Sequence, residues 1–394
     1  MTSPTATALA PWPHYADDEI AAAAEVLRTG KDNYRTGPRG REFESAYAAS
    51  LGSSRGLAVS NGTVALEIAL HGLGLGPGDD VIVPARTFIA TAAAVIRCGA
   101  RPVVADIDRR SQNVTADTIA AVLTPATKAL IPVHLGGWPV DMTQIAQLAT
   151  SRKLKIVEDC AQSHGATLHG LPTGALGDVG CFSFCQDKII STGGEGGMIV
   201  TNDEAVYRRM WSFREHGWDF DAALQPDPND GFRWLVSDFG TNARMTEVQS
   251  AIGQLQLSKL KVWVAQRRKN ADALSEGLRR VPGIEILEPG PGVGHAYYRY
   301  CFLIEPSALK SSWSRNRILT DLEQRGVPAR VGSCPDIRRE KAFTLRGMPP
   351  SHRVPNADWV AERSAVLPVH PTLTEDQLDF ITATVAAVMA EAAR

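Results

Sequence analysis

The 394-residue sequence contains no pair of cysteines two residues apart, no long apolar run and no surplus of charge of either sign. Its six cysteines are Cys98, Cys160, Cys181, Cys185, Cys301 and Cys334. A chain this long does not need disulfide staples, so reduced thiols are expected. No apolar stretch approaches the roughly 18 residues that a membrane-spanning helix requires. The first residues, MTSPTATALAPWPHY, lack a basic start followed by an apolar segment. A signal peptide is therefore not expected, and a cytoplasmic location is. Lys plus Arg number 41 against 43 Asp plus Glu, a net charge of -2. That balance argues against general attraction to nucleic acid or an anionic membrane, while leaving room for a local basic pocket. Neither HExxH nor clustered Cys/His spacing is present, so no metal site is expected.

What is present is the profile of a folded protein, with 44% hydrophobic and 21% charged residues. The length suggests two domains. Short apolar runs at 81–84, 102–106, 129–134 and 154–159 read as buried strands. Helical patterns at about 87–97, 115–123 and 142–152 separate them. Strict alternation of this kind predicts βαβ units and a mostly parallel sheet covered on both faces. Helices are also expected at 16–29, at about 40–51, from Gly62 or Thr63, and at 203–216. Two more strands, 181–184 and 197–201, flank a glycine-rich turn. Residues 221–232 read as a loop, and a long helical stretch from about 245 to 280 is expected to break near 265. The segment 288–294 (EPGPGVG) reads as a linker or hairpin tip. The division expected is a large α/β domain over 1–280, with an N-terminal arm over 1–15, and a smaller α+β domain over 281–394.

Four segments could carry chemistry. In SNGTVAL (60–66), Gly62 and Thr63 stand at a helix N-terminus, where free amides and the helix dipole favour an anion such as phosphate; a plain helix cap reads the same. In KIVEDCAQSHGA (155–166), Asp159 ends a buried strand, the place where ligands bind in open α/β sheets. A carboxylate there could hold a metal, orient a histidine or keep a pyridine ring protonated. Glu158 points to the opposite face and reads as structural. In FSFCQDKIISTGGEGG (182–197), Lys188 follows a strand and is trailed by Ser191, Thr192 and four glycines. Such a lysine can clamp phosphate, form a Schiff base or lie on the surface. The nucleotide P-loop reading fails, because the glycines are followed by Met198. In DFGTNARMTEVQSAIG (238–253), Asn242 and Arg244 precede a helix that Thr246 would cap. Taken together, an anion cradle, a strand-end carboxylate and a loop lysine match the needs of pyridoxal phosphate (PLP).

These segments, with VPARTFIATA (83–92) and LPVHPTLTEDQ near the C-terminus, resemble in order and content the sugar-nucleotide aminotransferases of the DegT/StrS type. The similarity runs from about residue 15 to 375. It implies the aspartate-aminotransferase fold (fold type I), a homodimer with shared active sites, and transfer of an amino group, usually from L-glutamate, to a nucleotide-linked keto-sugar. It also implies residue roles. Lys188 is the Schiff-base lysine, and Asp159 pairs with the ring nitrogen. Gln162 lies near the ring hydroxyl, and Phe88 stacks on the ring face. Gly62, Thr63 and Ser183 bind the phosphate, while Asn242 reaches it from the neighbouring subunit. Sugar dehydratases on the same scaffold carry histidine at the lysine position, so Lys188 favours transamination.

Gly240-Thr241-Asn242 stands where Gly-Tyr-Asn is common, the 331–343 segment lacks the Tyr-Pro of many members, and Trp138 stands where polar residues are usual. These loops are expected to shape acceptor choice. A keto-cyclitol acceptor, another PLP reaction on a sugar, or a non-catalytic sensor on this fold remain alternatives. His134 and His164 read equally as cleft residues or as satisfied structural histidines.

Overall fold

The computed structural model describes residues 9–225, 232–348 and 352–394. Thirteen strands lie among the described residues. The first five are β1 (Arg55–Val59), β2 (Asp80–Pro84), β3 (Arg101–Ala105), β4 (Thr127–Leu130) and β5 (Lys155–Asp159). A small hairpin of β6 (Thr167–Leu168) and β7 (Leu171–Pro172) follows, and then β8 (Val179–Ser183) and β9 (Gly197–Thr201). Later come β10 (Ile284–Ile286), β11 (Val293–Gly294), β12 (Tyr300–Ile304) and β13 (Ser364–Leu367).

Seven strands form the central sheet in the order β1-β9-β8-β5-β4-β2-β3. β9 is antiparallel to both neighbours, β1 and β8, and every other pair is parallel. All strands but β9 therefore run the same way, and these six, β1, β2, β3, β4, β5 and β8, deliver their carboxyl ends to one edge. β2, β8 and β9 are buried at every residue, as a sheet covered on both faces demands.

The helix Gly62–Gly72 buries Leu66, Ile68, Ala69 and Leu70 against this sheet. Each of the Leu and Ile side chains contributes about 1.5–3 kcal/mol on leaving water. A second apolar core gathers Tyr300, Phe302 and Leu367 from β12 and β13, Ile381 and Val385 from the helix Glu375–Ala392, and Leu274 and Leu278 from the helix Glu247–Leu278. That last helix also packs Leu257, Leu260 and Trp263 against a separate apolar cluster on the large sheet that includes Phe182, Met198 and Val200.

Four details depart from the sequence reading. The helix Glu247–Leu278 is unbroken through residue 265. It has no proline, its only glycines are Gly253 and Gly277, and Val264, Arg267, Asn270 and Ala271 keep one buried stripe at helical spacing. The expected loop over 221–232 begins as a helical turn, Phe220–Leu224, because the Asp219 side chain caps the Ala222 amide; residues 226–231 lie outside the described residues. Val293 and Gly294 are not a linker but the edge strand β11, paired with β6. The run at 129–134 leaves regular strand after Leu130, although Val133 still bridges to Asp159.

Candidate active site

The carboxyl edge of the sheet opens into a cleft of about 1560 Å³. Gly62, Thr63, Phe88, Asp159, Gln162, Ser183 and Lys188 all line it. The sheet explains this convergence, since each follows or ends a strand that points to the same edge.

The first feature is an anion cradle. Asn61 caps the helix Gly62–Gly72 by accepting from the Val64 amide at 3.0 Å. The first main-chain bond of the helix starts at the Ala65 amide, so the Gly62 and Thr63 amides precede it. A Cβ on Gly62 would lie 2.6 Å from Ser183 Cβ, so only glycine lets the helix end close on the hydroxyl at the end of β8. Positive dipole, early amides and a hydroxyl in one corner are what a phosphate group requires.

The second feature is Asp159. Its Oδ2 accepts from Thr91 Oγ1 at 2.9 Å and its Oδ1 from the Ala161 amide at 3.2 Å. Thr87 in turn donates to Thr91 at 2.9 Å. Burial pushes the Asp159 carboxyl above its ordinary range, opposed by those two donors and by the charge of Lys188. Two donors leave a buried carboxylate with spare acceptor capacity.

Lys188 is the third feature. Its main-chain carbonyl accepts from Trp12 Nε1 at 2.9 Å, and its Nζ lies 3.4 Å from the Tyr298 hydroxyl and 3.6 Å from Asp187 Oδ1. Burial works against its charge, but Tyr298 and Asp187 outweigh that and hold its pKa above the usual lysine value.

Gln162 accepts from the Gly136 amide at 2.7 Å, which ties the strand-end turn to the loop after β4. Phe88 is 65% exposed and presents its ring at the cleft. Asn242 is not brought to this cleft; it bridges to Glu215 in an exposed position. Val331 to Pro335 and Glu340, from the segment expected to influence the acceptor, form part of the cleft wall. Trp138 instead packs edge-on to His295, with centroids 5.5 Å apart.

Both questioned histidines are structural. His134 Nδ1 accepts from the Val140 amide at 2.9 Å, so Nε2 carries the proton and donates to Glu158 at 3.0 Å. Glu158 also accepts from the amides of Gly174, Leu176 and Gly177. Although His134, Glu158 and Cys160 are close enough to share an ion, these internal bonds already occupy the imidazole and the carboxylate. His164 Nε2 donates to the Ser183 carbonyl at 2.8 Å, and its Nδ1 accepts from Tyr47 at 2.8 Å. Burial pushes His164 down to about 4, which keeps it neutral.

Sequence reasoning missed Thr91, Asp187, Tyr298 and Trp12. Thr91 lies four residues after Thr87 in a segment already singled out, which was a usable signal. Tyr298 lies 110 residues from Lys188, and its YYRY context carries no turn or glycine signature.

A phosphate cradle, a strand-end carboxylate and a loop lysine at one sheet edge fit pyridoxal phosphate, and the fold is that of the PLP-dependent aminotransferases. The chain belongs to the DegT/DnrJ/EryC1/StrS aminotransferase family, whose model matches residues 13–386. It is a transaminase, and its cofactor is pyridoxal phosphate. The chain is 36% identical over 362 residues to a UDP-N-acetyl-3-dehydro-alpha-D-glucosamine 3-aminotransferase of Acidithiobacillus ferrooxidans, covering 92% of this chain and 91% of that protein. Over 349 residues it is 37% identical to the GDP-perosamine synthase of Caulobacter vibrioides, with 87% and 88% covered. Among solved structures, an aminotransferase from Psychrobacter cryohalolentis superposes with a TM-score of 0.95 at 41% identity, covering 98% of this chain and 99% of that one.

Proposed function

We propose that the protein transfers an amino group from L-glutamate to the keto group of a nucleotide-linked sugar, in the biosynthesis of an amino sugar for an antibiotic or a cell-surface glycan. The observation that carries this reading is the joint presence of Lys188, Asp159 and the Gly62–Ser183 cradle in one large cleft. Its volume of about 1560 Å³ exceeds the roughly 300–1,000 Å³ of an ordinary small-molecule pocket, leaving room for a cofactor and a nucleotide-sugar together. The similarity to a UDP-sugar and a GDP-sugar enzyme supports the substrate class and leaves the nucleotide open.

Pyridoxal phosphate supplies an electron sink for the carbanion that forms when an α-proton leaves. In the roles proposed here, Gly62, Thr63 and Ser183 hold the phosphate, and Gln162 meets the ring hydroxyl. Phe88 covers one ring face. Asp159 keeps the ring nitrogen protonated, since an opposite charge at close range shifts a pKa by roughly 1–3 units. The Lys188 amine holds the cofactor at rest and, once displaced, moves the proton. Asn242 would complete the cradle across a two-fold interface in a homodimer. Trp234 at 90% and Phe239 at 93% exposure, close to Asn242 in sequence, support such an interface.

The test is a two-step reaction. L-Glutamate is expected to convert the bound cofactor to its amine form with release of 2-oxoglutarate. UDP-, GDP- and dTDP-linked keto-sugars, and keto-cyclitols, are then offered while the absorbance of the resting form is followed. Return with a nucleotide-linked keto-sugar supports the proposal; return only with a keto-cyclitol overturns the acceptor class.

A further inference from the structure

Lys188 does not stand alone on the cleft wall. The Tyr298 hydroxyl donates to Asp187 Oδ2, and Lys188 Nζ approaches the same hydroxyl at 3.4 Å. Arg299 Nη2 lies 3.2 Å from Asp187 Oδ2 on the far side. The polarity of this chain is set by its members. A carboxylate can only accept, so the phenol proton points to Asp187 and the oxygen lone pairs are left for Lys188. Tyr298 is 7% exposed, and burial raises its pKa, which keeps it a phenol.

The segment that carries Tyr298 is fixed from behind. The Ala296 amide donates to the Gly137 carbonyl at 2.9 Å and the Arg299 amide to the Gly136 carbonyl at 3.3 Å. Gly137 has φ 93°, and a Cβ there would come within 2.9 Å of the Tyr297 and Tyr298 amides. The neighbouring Gly136 amide is held by Gln162. One rigid path therefore runs from Gln162, through the Gly136–Gly137 turn, to Tyr298 and the amine.

We propose that Tyr298, held by Asp187 and Arg299, is a positioning residue for Lys188 that accepts a hydrogen bond from the amine and fixes where it waits while displaced. This rests on the aminotransferase reading only for its kinetic consequence, not for the geometry. The charged and titratable groups that face Lys188 are Asp187 and Cys185 of its own loop, Tyr298 and Arg299 from the segment before β12, Asp159 at the end of β5, and His164 in the following turn.

The deciding measurement is chemical labelling of Lys188 with acetic anhydride in the cofactor-free full chain, read by peptide mapping as a function of pH. Tyr298→Phe keeps the ring and removes the oxygen. Its reactivity midpoint should fall by about one pH unit, the equivalent of a tenfold change in equilibrium. In the holoenzyme the same variant should lower kcat of the glutamate half-reaction about tenfold while KM stays within about twofold. Asp187→Asn should move the midpoint in the same direction, and serves as the test should Tyr298→Phe not fold. A midpoint that stays in place or rises overturns the proposal. Labelling needs neither donor nor acceptor, so a failed keto-sugar screen with a shifted midpoint would remove the functional reading and leave this one standing.

Discussion

Glu158 and Asp159 are adjacent carboxylates on one buried strand, and they have opposite circumstances. Glu158 faces away from the cleft and receives four donors, three amides and the His134 ring. Asp159 faces the cleft and receives two, from Thr91 and the Ala161 amide. A buried charge is tolerated when its hydrogen bonds are complete and is costly when they are not. Glu158 is therefore finished within the chain, whereas Asp159 keeps acceptor capacity for something the chain does not supply. In the role proposed for Asp159, that missing donor would be the ring nitrogen.

The largest expected effect falls on the saturated side. Glu158→Gln replaces an acceptor oxygen with a donor among amides that need acceptors and leaves His134 poorly matched. It should cost about 3–5 kcal/mol of stability in denaturant unfolding. The absorbance of any cofactor that remains bound should not change. A spectral shift without loss of stability would erase the distinction between the two carboxylates.

Asp159→Asn should leave the fold intact and lower the rate of the glutamate half-reaction by roughly a hundredfold, about 2.7 kcal/mol, as the proposed partner of the ring nitrogen loses its charge. Stopped-flow absorbance would check this, and a wild-type rate would take the ring-nitrogen role away from Asp159.

A smaller effect sharpens the contrast. The Asp159 pKa is raised in the folded state, so the stability tied to its protonated form is complete below the unfolded value of 3.8 and is lost as pH rises through the folded one. At neutral pH the cofactor-free wild type carries that penalty and Asp159→Asn does not. The variant should be the more stable of the two without cofactor, by about 1 kcal/mol. Thermal melts should show the gap closing on acidification and vanishing when cofactor is bound.

The same strand shows what could be read in the sequence. KIVED announces a buried strand, and the placement of its final residue at the sheet edge follows from alternating elements alone. The helix starts at Gly62 and after Thr246 were legible because Asn61 and Thr246 are strong caps. β1 was not foreseen: RGLAV is five residues long and becomes a strand only through its pairing with β9, 142 or so residues onward. The absent break near residue 265 has a similar origin, since tertiary burial of Val264 and Arg267 carries the helix through. Tyr298 was out of reach for the same reason, because its importance lies in a contact that no local pattern encodes.

Lys188 sits in a loop whose backbone is pinned on several sides. Trp12 holds its carbonyl at 2.9 Å, Gln256 holds the Ser191 amide at 3.0 Å, and the Gln186 amide bonds to Gly194 at 3.0 Å. With the main chain so fastened, the freedom left to the lysine is that of its own four side-chain torsions, worth about 2 kcal/mol of rotamer entropy. Its amine works like the tip of a short tether with a fixed anchor, able to sweep a small shell of space and always returning to the same neighbourhood without any movement of the loop.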